Sequence, residues 1–513
     1  MPACLTVLTL AVLPQANVDA VASAPAVAAK IDSFMMKHWQ SADLKAAEIV
    51  DDSGFLRRVT LDIAGRIPTY AEARAFAEDQ SPDKRIRVIQ RLLASPEFPL
   101  HWSYVLDDMI QDNYAGDRAF IEYLRESLAR RKGWDQIFKE IMIGPWDKKE
   151  TEGASRYLVS RLKKLDEMTN DTSVVFFGVN VSCAKCHDHP LVQDWKQDHY
   201  YGMASFFNRT TKGNGKNGIA EKGNANVSFT TRKGEKKTAK LMFLSNRIIE
   251  EPAKPPKNYS RRAELVKVAL EDPRFFRRAI VNRVWHYLFG RGLVHPVDQL
   301  HSANLPSVPD VLEWLADDFA AHGYRLDRLL AGITTSQTYQ RSSRSLGVSD
   351  SVRDGDFAKA LLRPLSPRQF AVSMVLATSE QTAFDSATEP EKRLQACRNL
   401  EGQAGRLLAA NLLDKPSDDF QSSANEALFM SNNEAAQQLV VASGKNLTAQ
   451  LAEISDSAAV VDRAIWTILS RAAEPDEREF LVKWLDSRSE DRRKACAQLV
   501  WALLTSAEFR FNH

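Results

Sequence analysis

Two cysteines and a histidine in the first half of the chain stand at a spacing that can hold a cofactor. Residues 183–187 read CAKCH, so Cys183 and Cys186 are three positions apart and His187 follows directly. The C-x-x-C-H pattern is typical of covalent haem c attachment. Two thiols one turn apart can reach the two vinyl groups on one edge of the porphyrin, and the next imidazole can bind the iron. The motif therefore predicts haem c on Cys183 and Cys186, with His187 as an axial iron ligand.

The same motif also fits two other kinds of chemistry. The cysteine pair with His187 or His189 could bind zinc or another metal, but a structural zinc site needs four ligands. The sequence has no second C-x-x-C and no H-x₃-H pair to supply the others. A redox-active dithiol is a further alternative, although the βαβ pattern that usually accompanies one is absent from the sequence. Haem attachment is favoured over another metal, and a redox or structural role comes last.

The motif does not fix the second axial ligand of such an iron. His189 lies only two residues beyond His187, on the same side of the macrocycle, and we expect it to support the loop instead of binding the iron. His199 and Met203 on the following segment could fold back over the ring as sixth ligands. Core packing is the simpler prediction for Met203. A five-coordinate iron, which would favour ligand binding over simple electron transfer, also stays open.

A second group of polar residues begins about 100 positions later in the chain. Asn282 and His286 are four residues apart and would share one face of a helix. An acid–base or metal site could be built there, but a structural polar network around the GRG turn at 290–292 is favoured. The charged and histidine members of the group are Arg283, His286, Arg291, His295, Asp298 and His301.

Several common catalytic motifs are absent from the sequence. It contains no G-x-S-x-G, P-loop, H-E-x-x-H or G-x-G-x-x-G pattern, which removes support for common hydrolases, NTPases, zinc proteases and Rossmann enzymes. No catalytic residue is therefore assigned, and whether the protein is an enzyme stays open.

The segments on either side of the cysteine motif have helical periodicity. Apolar residues recur on one face over 86–93, which predicts a helix between the turn signals at 81–83 and 95–96. Further helices are expected over 117–131 and 171–182, and the second of these would lead directly into the motif. Three charged residues are spaced to form ion pairs along an earlier helix, namely Arg57, Arg58 and Asp62.

The middle of the chain differs in composition from both halves. Residues 226–244 alternate like a short β-hairpin, with the turn near Lys233-Gly234. Between residues 209 and 240 there are nine Lys or Arg against two Glu. Such a stretch could dock an anionic partner, but a solvated loop is the favoured interpretation. Three prolines at 252–256 then mark a linker.

The predicted fold is mainly α, with two helical modules joined by a linker that holds a small β-hairpin. Residues 379–424 carry weaker signals and could include a long loop. Helices of the second module are expected over 261–270, 275–289, 308–321, 368–378, 425–443, 459–471 and 492–505. The predicted divisions are 1–30 (a signal peptide or tail), 31–208 (the module with the motif), 209–258 (basic loop, hairpin and linker) and 259–513 (the C-terminal module).

Composition excludes several classes of protein. The 513 residues are 44% hydrophobic and 26% charged, which is ordinary for a globular protein. The net charge of +2 leaves no overall signature of a nucleic-acid or anionic-membrane partner. Five cysteines are too few for a disulfide scaffold, and the sequence leaves open whether Cys397 and Cys496 pair.

The N-terminal residues indicate export. Residues 5–13 form an apolar run about as long as the core of a signal peptide, and the small residues at 22–24 suit a cleavage site. No Lys or Arg precedes the run, so the charged part of a signal is missing. No other apolar run reaches the roughly 20 residues that span a bilayer. We therefore expect a periplasmic or secreted protein without a transmembrane segment.

Several long motifs carry a resemblance to a known pair of modules. The first half resembles the cytochrome-like domain of unknown function of planctomycete-type secreted proteins, and the second half is similar to the module that usually follows it. The stretches that carry this resemblance are 55–69, 81–98, 183–195, 200–207, 282–300, 302–343, 427–434 and 501–513. The family pattern often has a carboxylate where His199 stands, Asp where Gln299 stands and His where Val308 stands. If the second module carries a polar site, the last two changes put it in doubt here.

The resemblance implies an exported bacterial protein without an assigned activity. It places haem attachment on Cys183 and Cys186 and the axial role on His187. The leading hypothesis is an exported c-type haem protein that transfers electrons to a redox partner protein or senses through its haem. One alternative is a non-haem scaffold whose Cys/His cluster binds another metal or is structural. A weaker alternative is a hydrolase-like enzyme centred on the second module. The oligomeric state is not predicted.

Overall fold

The structure is a computed structural model that describes residues 23–214, 218–344, 348, 351–408 and 434–512. Helices dominate these residues, and their β structure is limited to four two-stranded antiparallel sheets. The prediction of a mainly α fold with a small hairpin element is therefore confirmed. None of the described helices is long and apolar enough to cross a membrane.

The first fourteen helices lie between residues 24 and 335. They are α1 (Ala24–Ser41), α2 (Asp52–Ala64), α3 (Tyr70–Glu78), α4 (Lys84–Ala94), α5 (Glu97–Gln111), α6 (Arg118–Ala129), α7 (Trp134–Ile143), α8 (Arg156–Ser160), α9 (Leu165–Phe177), α10 (Gln197–Phe207), α11 (Arg261–Glu271), α12 (Phe276–Phe289), α13 (Pro309–Ala321) and α14 (Leu326–Thr335).

The remaining described helices follow residue 366. They are α15 (Pro367–Thr378), α16 (Gln381–Asp385), α17 (Pro390–Leu408), α18 (Glu434–Val440), α19 (Leu447–Ala452), α20 (Ser457–Leu469), α21 (Pro475–Asp486), α22 (Arg492–Leu504) and α23 (Ala507–Arg510). Short 3₁₀ helices cover Asp112–Tyr114, Glu152–Ser155, Ser182–Lys185, Asp354–Asp356 and Ser489–Asp491.

Four pairs of short strands complete the described secondary structure. The pairs are β1 (Thr210–Lys212) with β2 (Ile219–Glu221), β3 (Ser228–Thr230) with β4 (Lys236–Thr238), β5 (Leu241–Met242) with β6 (Ile248–Ile249), and β7 (Arg363–Pro364) with β8 (Phe511–Asn512). The predicted hairpin corresponds to β3 and β4, and Gly234 in its turn has φ +82°, as a tight turn requires.

Two apolar cores hold the helices together. The first takes its buried residues from positions 24–358, with Trp466 added, and the second takes most of its residues from positions 365–509. Within the first core, the ring of Phe138 on α7 lies 4.8 Å from both Phe176 on α9 and Phe276 on α12. The apolar cores thus divide near residue 360, whereas the predicted module boundaries lie at residues 208 and 258.

Some local predictions need correction. The helix expected over 171–182 is α9, which runs over Leu165–Phe177 and ends at Gly178, where φ is +67°. A residue in this left-handed region stops a helix because the chain can no longer continue its hydrogen-bond ladder. Residues 390–408, where only weak signals were found, form α17. Residues 1–22, 409–424 and 425–433, which include most of the predicted leader and part of a predicted helix, lie outside the described residues.

The charged residues of α2 find partners far away in the sequence. Arg57 donates from Nη2 to the carbonyl oxygen of Phe509 at 3.0 Å, and Arg58 donates from Nη1 to the carbonyl oxygen of Arg341 at 2.9 Å. Asp62 pairs with Arg363 at 2.8 Å. The three residues were predicted to form ion pairs along this helix. Instead, all three side chains tie α2 to segments more than 280 residues away.

Candidate functional site

Residues of the second half hold the segment that enters the cysteine motif. After Gly178 the chain is extended, and Val179 forms an antiparallel bridge with Gln299. The backbone N–H of Asn180 donates to the carbonyl oxygen of Asp298 at 2.9 Å, and the N–H of Leu300 donates to that of Gly178 at 2.9 Å. The position of the motif is thus set by a contact between distant parts of the chain.

Replacing Gly178 by alanine is expected to destabilise the fold by about 1–2 kcal/mol, because its positive φ disfavours a side chain. The new Cβ would also lie 2.5 Å from Cδ1 of Leu300. Gly402→Ala on α17 is the matched control, since a Cβ there meets nothing within 4 Å and alanine favours a helix. Urea unfolding followed by circular dichroism compares the two, and equal stabilities would contradict this account of Gly178.

The two cysteines of the motif face the same way. The 3₁₀ helix Ser182–Lys185 carries Cys183, and Cys186 continues it with helical angles (φ −93°, ψ −29°). A 3₁₀ helix has three residues per turn, so side chains three positions apart eclipse one another. Both thiols are exposed and free, while Ala184 between them is fully buried. The turn therefore presents two thiols on one solvent-facing side.

The ring of His187 is held in one tautomer. Its Nδ1 lies 2.7 Å from the carbonyl oxygen of Asp188. A carbonyl oxygen only accepts, so Nδ1 carries a proton in this contact, and in the neutral ring the lone pair is then on Nε2. This is the arrangement of a histidine prepared to bind a metal through Nε2. Asp188 was missed in the sequence analysis, since a backbone acceptor leaves no signal in residue type.

His189 braces the loop that follows the motif. Its Nδ1 accepts the backbone N–H groups of Leu191 at 3.2 Å and Val192 at 3.0 Å. Its own backbone N–H donates to the carbonyl oxygen of Trp195 at 2.8 Å. His189 thus closes the loop on itself, which is a role in support of the motif.

The two candidate sixth ligands, His199 and Met203, lie on α10 and are occupied elsewhere. The Nδ1 of His199 accepts the backbone N–H of Lys196 at 3.1 Å, and its Nε2 donates to Oδ1 of Asn246 at 2.9 Å. Burial lowers the pKa of His199, which keeps the ring neutral. Met203 is fully buried in the first core. Iron binding by either side chain would require these contacts to break.

Carboxylate contacts tie the 3₁₀ turn to its neighbours. Asp166 at the start of α9 lies 2.5 Å from Nζ of Lys185 and 2.5 Å from the hydroxyl of Tyr200 on α10. The hydrogen bond from Lys185 is the main reason that the pKa of Asp166 is lowered. The turn is therefore fixed to both helices that flank it.

Comparison with known families adds an independent description of the chain. Residues 30–212 match PSCyt2, described as a protein of unknown function (DUF1549), and residues 261–406 match PSD1, described as a protein of unknown function (DUF1553). The chain therefore carries two domains of unknown function. This confirms the predicted pairing of two uncharacterised modules. No curated protein and no solved structure was found to match.

The PSCyt2 and PSD1 regions meet beside the cysteine motif. Asp194 of the first region accepts both the backbone N–H and the hydroxyl of Ser302 of the second, each at 2.7 Å. A cleft of about 390 Å³ opens at this junction, and Trp195, Phe275 and His301 are among the residues that line it. The three motif residues are not among those that line the cleft.

Two members of the polar group in the PSD1 region hold backbone groups, one within that region and one in the PSCyt2 region. Asn282 bonds to both the N–H and the carbonyl oxygen of Val294, at 2.9 and 2.8 Å. Arg283 donates to the carbonyl oxygen of Val174, and burial lowers its pKa to about 10. These contacts favour the structural network over a catalytic site. In the described residues, no three His, Cys, Asp or Glu side chains are grouped to hold a metal.

The other two cysteines of the described chain lie far from the motif in sequence. Cys397 is on α17 and Cys496 is on α22, and both are buried, free thiols. Burial raises the pKa of each thiol, so neither forms a thiolate readily. They do not pair with one another, which answers the question left open by the sequence.

Proposed function

We propose that this chain is an exported bacterial c-type haem protein that transfers electrons. Each motif thiol, on Cys183 and Cys186, would add its S–H across one vinyl group of the porphyrin and form a thioether bond. Nε2 of His187 would bind the iron. When bound, haem supplies reversible one-electron chemistry at its iron.

The observation that carries this proposal is the geometry of the motif itself. The eclipsed, exposed thiols of Cys183 and Cys186 can approach one edge of a flat ligand together, because the 3₁₀ turn places them on one side. His187 is next to them, with Nδ1–H donated to a carbonyl oxygen and Nε2 available. These residues therefore fit the group that the sequence motif predicts.

The surroundings of the motif suit electron transfer better than catalysis on a buried substrate. The thiols are solvent-exposed, so a ring attached to them would keep an edge open to a partner. His199 and Met203 are engaged in the fold, so a second protein ligand to the iron would have to replace one of their present contacts. Export is supported by the leader-like run at 5–13, and the planctomycete-type resemblance supports a bacterial secreted system.

The proposal is tested by producing the full chain in a bacterial host that matures c-type haem proteins. After denaturation in alkaline pyridine, we expect the haemochrome absorption to stay with the polypeptide. The variant Cys183→Ala with Cys186→Ala should lose it completely. The matched control, Cys397→Ala with Cys496→Ala, removes two thiols away from the motif and should keep it. A colourless denatured chain would contradict the proposal, and zinc found by elemental analysis would support a metal scaffold instead.

A further inference from the structure

A short hairpin gathers most of the local positive charge in the middle of the chain. We call residues 228–240, with strands β3 and β4, the basic hairpin. It holds five Lys or Arg residues against one glutamate, Glu235. All of these charged side chains are exposed, and the three residues of β4 face solvent. The cations are Arg232, Lys233, Lys236, Lys237 and Lys240.

The basic hairpin is anchored next to the cysteine motif. The ring of Phe229, its one buried apolar side chain, stacks on Tyr201 of α10 with centroids 4.2 Å apart and planes 9° from parallel. Tyr201 in turn lies within electrostatic range of Lys185 and Cys186. Nζ of Lys237 is 3.7 Å from Asp198, near the start of the same helix. The hairpin is thus anchored on α10, the helix that follows the cysteine motif in the chain.

The acidic residues near the motif do not cancel this charge. Asp166 is paired with Lys185 and Asp198 with Lys237. Asp188 and Asp194 remain on the loop, where they accept hydrogen bonds from Gln197 and Ser302. Four cations of the hairpin have no carboxylate within 4 Å in the part of the chain that the structure describes: Arg232, Lys233, Lys236 and Lys240.

The position of the hairpin on the helix after the motif favours one class of partner. Surfaces that bind single-stranded nucleic acid use exposed aromatic rings on which bases stack, but Phe229 is buried. Amphipathic membrane-binding elements insert apolar side chains, whereas the exposed side chains of the hairpin are polar or charged. An acidic patch on a protein needs only complementary charge at a protruding edge, which the hairpin supplies.

We propose that the basic hairpin docks the acidic patch of a redox partner protein beside the cysteine motif. This inference rests on the proposed haem function, because it names the partner surface for electron exchange. The cations would attract the partner over roughly one Debye length, about 10 Å at 0.1 M salt. They would thereby orient it so that its redox group approaches the open edge of the bound haem.

The first test needs no haem and uses the full chain made without haem maturation. Two methanethiosulfonate reagents of similar size, one sulfonate and one trimethylammonium, each form a disulfide with a thiolate and release methanesulfinate. The rate at which each reagent modifies Cys183 and Cys186 is followed by site-resolved mass spectrometry. Each rate is divided by the rate of the same reagent with a small free thiol, which corrects for the intrinsic reactivity of the reagent. At about 10 mM salt we expect the anionic reagent to be favoured by about tenfold, and the preference to vanish near 1 M salt.

A charge-reversed variant isolates the hairpin. The substitutions R232E, K233E, K236E and K240E should invert the preference, and the four corresponding glutamines should abolish it. The control variant, K445E with K483E, R493E and K494E, makes the same charge change at exposed residues near the second core. It should leave the ratio of the two reagent rates within about twofold of that in the unmodified chain. Equal rates for the two reagents in the unmodified chain would overturn the inference.

The second test uses the haem-loaded protein. One electron passes from the ferrous protein to hexacyanoferrate(III), an anion, or to tris(phenanthroline)cobalt(III), a cation. Reversal of the hairpin charges should slow the first reaction about tenfold and speed the second. Tight binding of a DNA duplex or of phosphatidylserine vesicles at about 0.15 M salt would overturn the choice of a protein partner. A chain without haem would contradict the proposed function, whereas haem with charge-independent rates would contradict only the docking.

Discussion

Asp62→Asn is expected to lower the free energy of unfolding by about 3–5 kcal/mol, the usual effect of breaking a buried ion pair. Asp62 is fully buried on α2. Both oxygens of its carboxylate accept hydrogen bonds from Nη2 of Arg363, at 2.8 and 2.9 Å. The carboxylate also accepts hydrogen bonds from the hydroxyl of Tyr339 and the side-chain amide of Asn512. Asparagine keeps the shape but leaves the Arg363 guanidinium buried without its counter-ion.

The control for Asp62 is an exposed ion pair of the same type. Asp462 pairs with Arg478 at 2.9 Å, and the two side chains are 42% and 44% exposed, so Asp462→Asn should change stability by less than about 1 kcal/mol. The double variant Asp62→Asn with Arg363→Met should be less damaging than the sum of its two parts, because the residues are coupled. Calorimetry and urea unfolding measure the stability of each of these variants. A loss below 1 kcal/mol for Asp62→Asn would contradict the assignment of this pair as a buried tie between α2 and the distant segment that carries Arg363.

The second large effect is a loss of stability in mild acid caused by His101. Burial on α5 lowers the pKa of His101 from 6.5 to about 3. Its Nε2 lies 2.8 Å from the hydroxyl of Tyr287, within hydrogen-bond distance. The unfolded chain binds a proton at this residue below pH 6.5 while the folded chain does not. The stabilisation that depends on His101 is therefore fully present above pH 6.5. Below that pH the free energy of unfolding falls by about 1.4 kcal/mol per pH unit.

Between pH 6.5 and pH 4.5, His101 lowers the free energy of unfolding by about 3 kcal/mol. His101→Gln keeps a hydrogen-bonding group near Tyr287 but cannot titrate. The free energy of unfolding of this variant should therefore fall by about 3 kcal/mol less than that of the unmodified chain between pH 6.5 and pH 4.5. Urea unfolding at half-unit steps of pH measures the two slopes. Parallel curves for His101→Gln and the unmodified chain would show that His101 is not held neutral.

Local chemistry could be predicted from the sequence because it depends on short spacing. The motif at 183–187, the helical periodicity over 86–93 and the hairpin turn at Gly234 are all set by neighbours in the chain. The structure places each in the expected kind of element. The position of His187 next to two cysteines is likewise a property of five consecutive residues, so the candidate site needed no tertiary information.

Contacts between distant residues could not be predicted in this way. The spacing of Arg58 and Asp62 suggested a pair along one helix, but the partner of Asp62 is Arg363, 301 positions later. His199 looked available as an iron ligand until Asn246, from another segment, was found bonded to its ring. The helix expected over 171–182 was wrong for a local reason, because Gly178 takes the left-handed conformation that ends α9 and a glycine at a helix end is a signal that the sequence does carry. A single sequence does not reveal which residues from the two regions come together.

The central claim is that Cys183 and Cys186 carry haem c, and peptide mapping tests it most directly. The protein is matured in a host that attaches c-type haem, and it is digested with a protease that cleaves outside residues 183–187. We predict that mass spectrometry finds haem on the peptide that contains the motif, with both thiols consumed in thioether bonds. Recovery of that peptide without haem, with the two cysteines free or joined to each other, would contradict the claim.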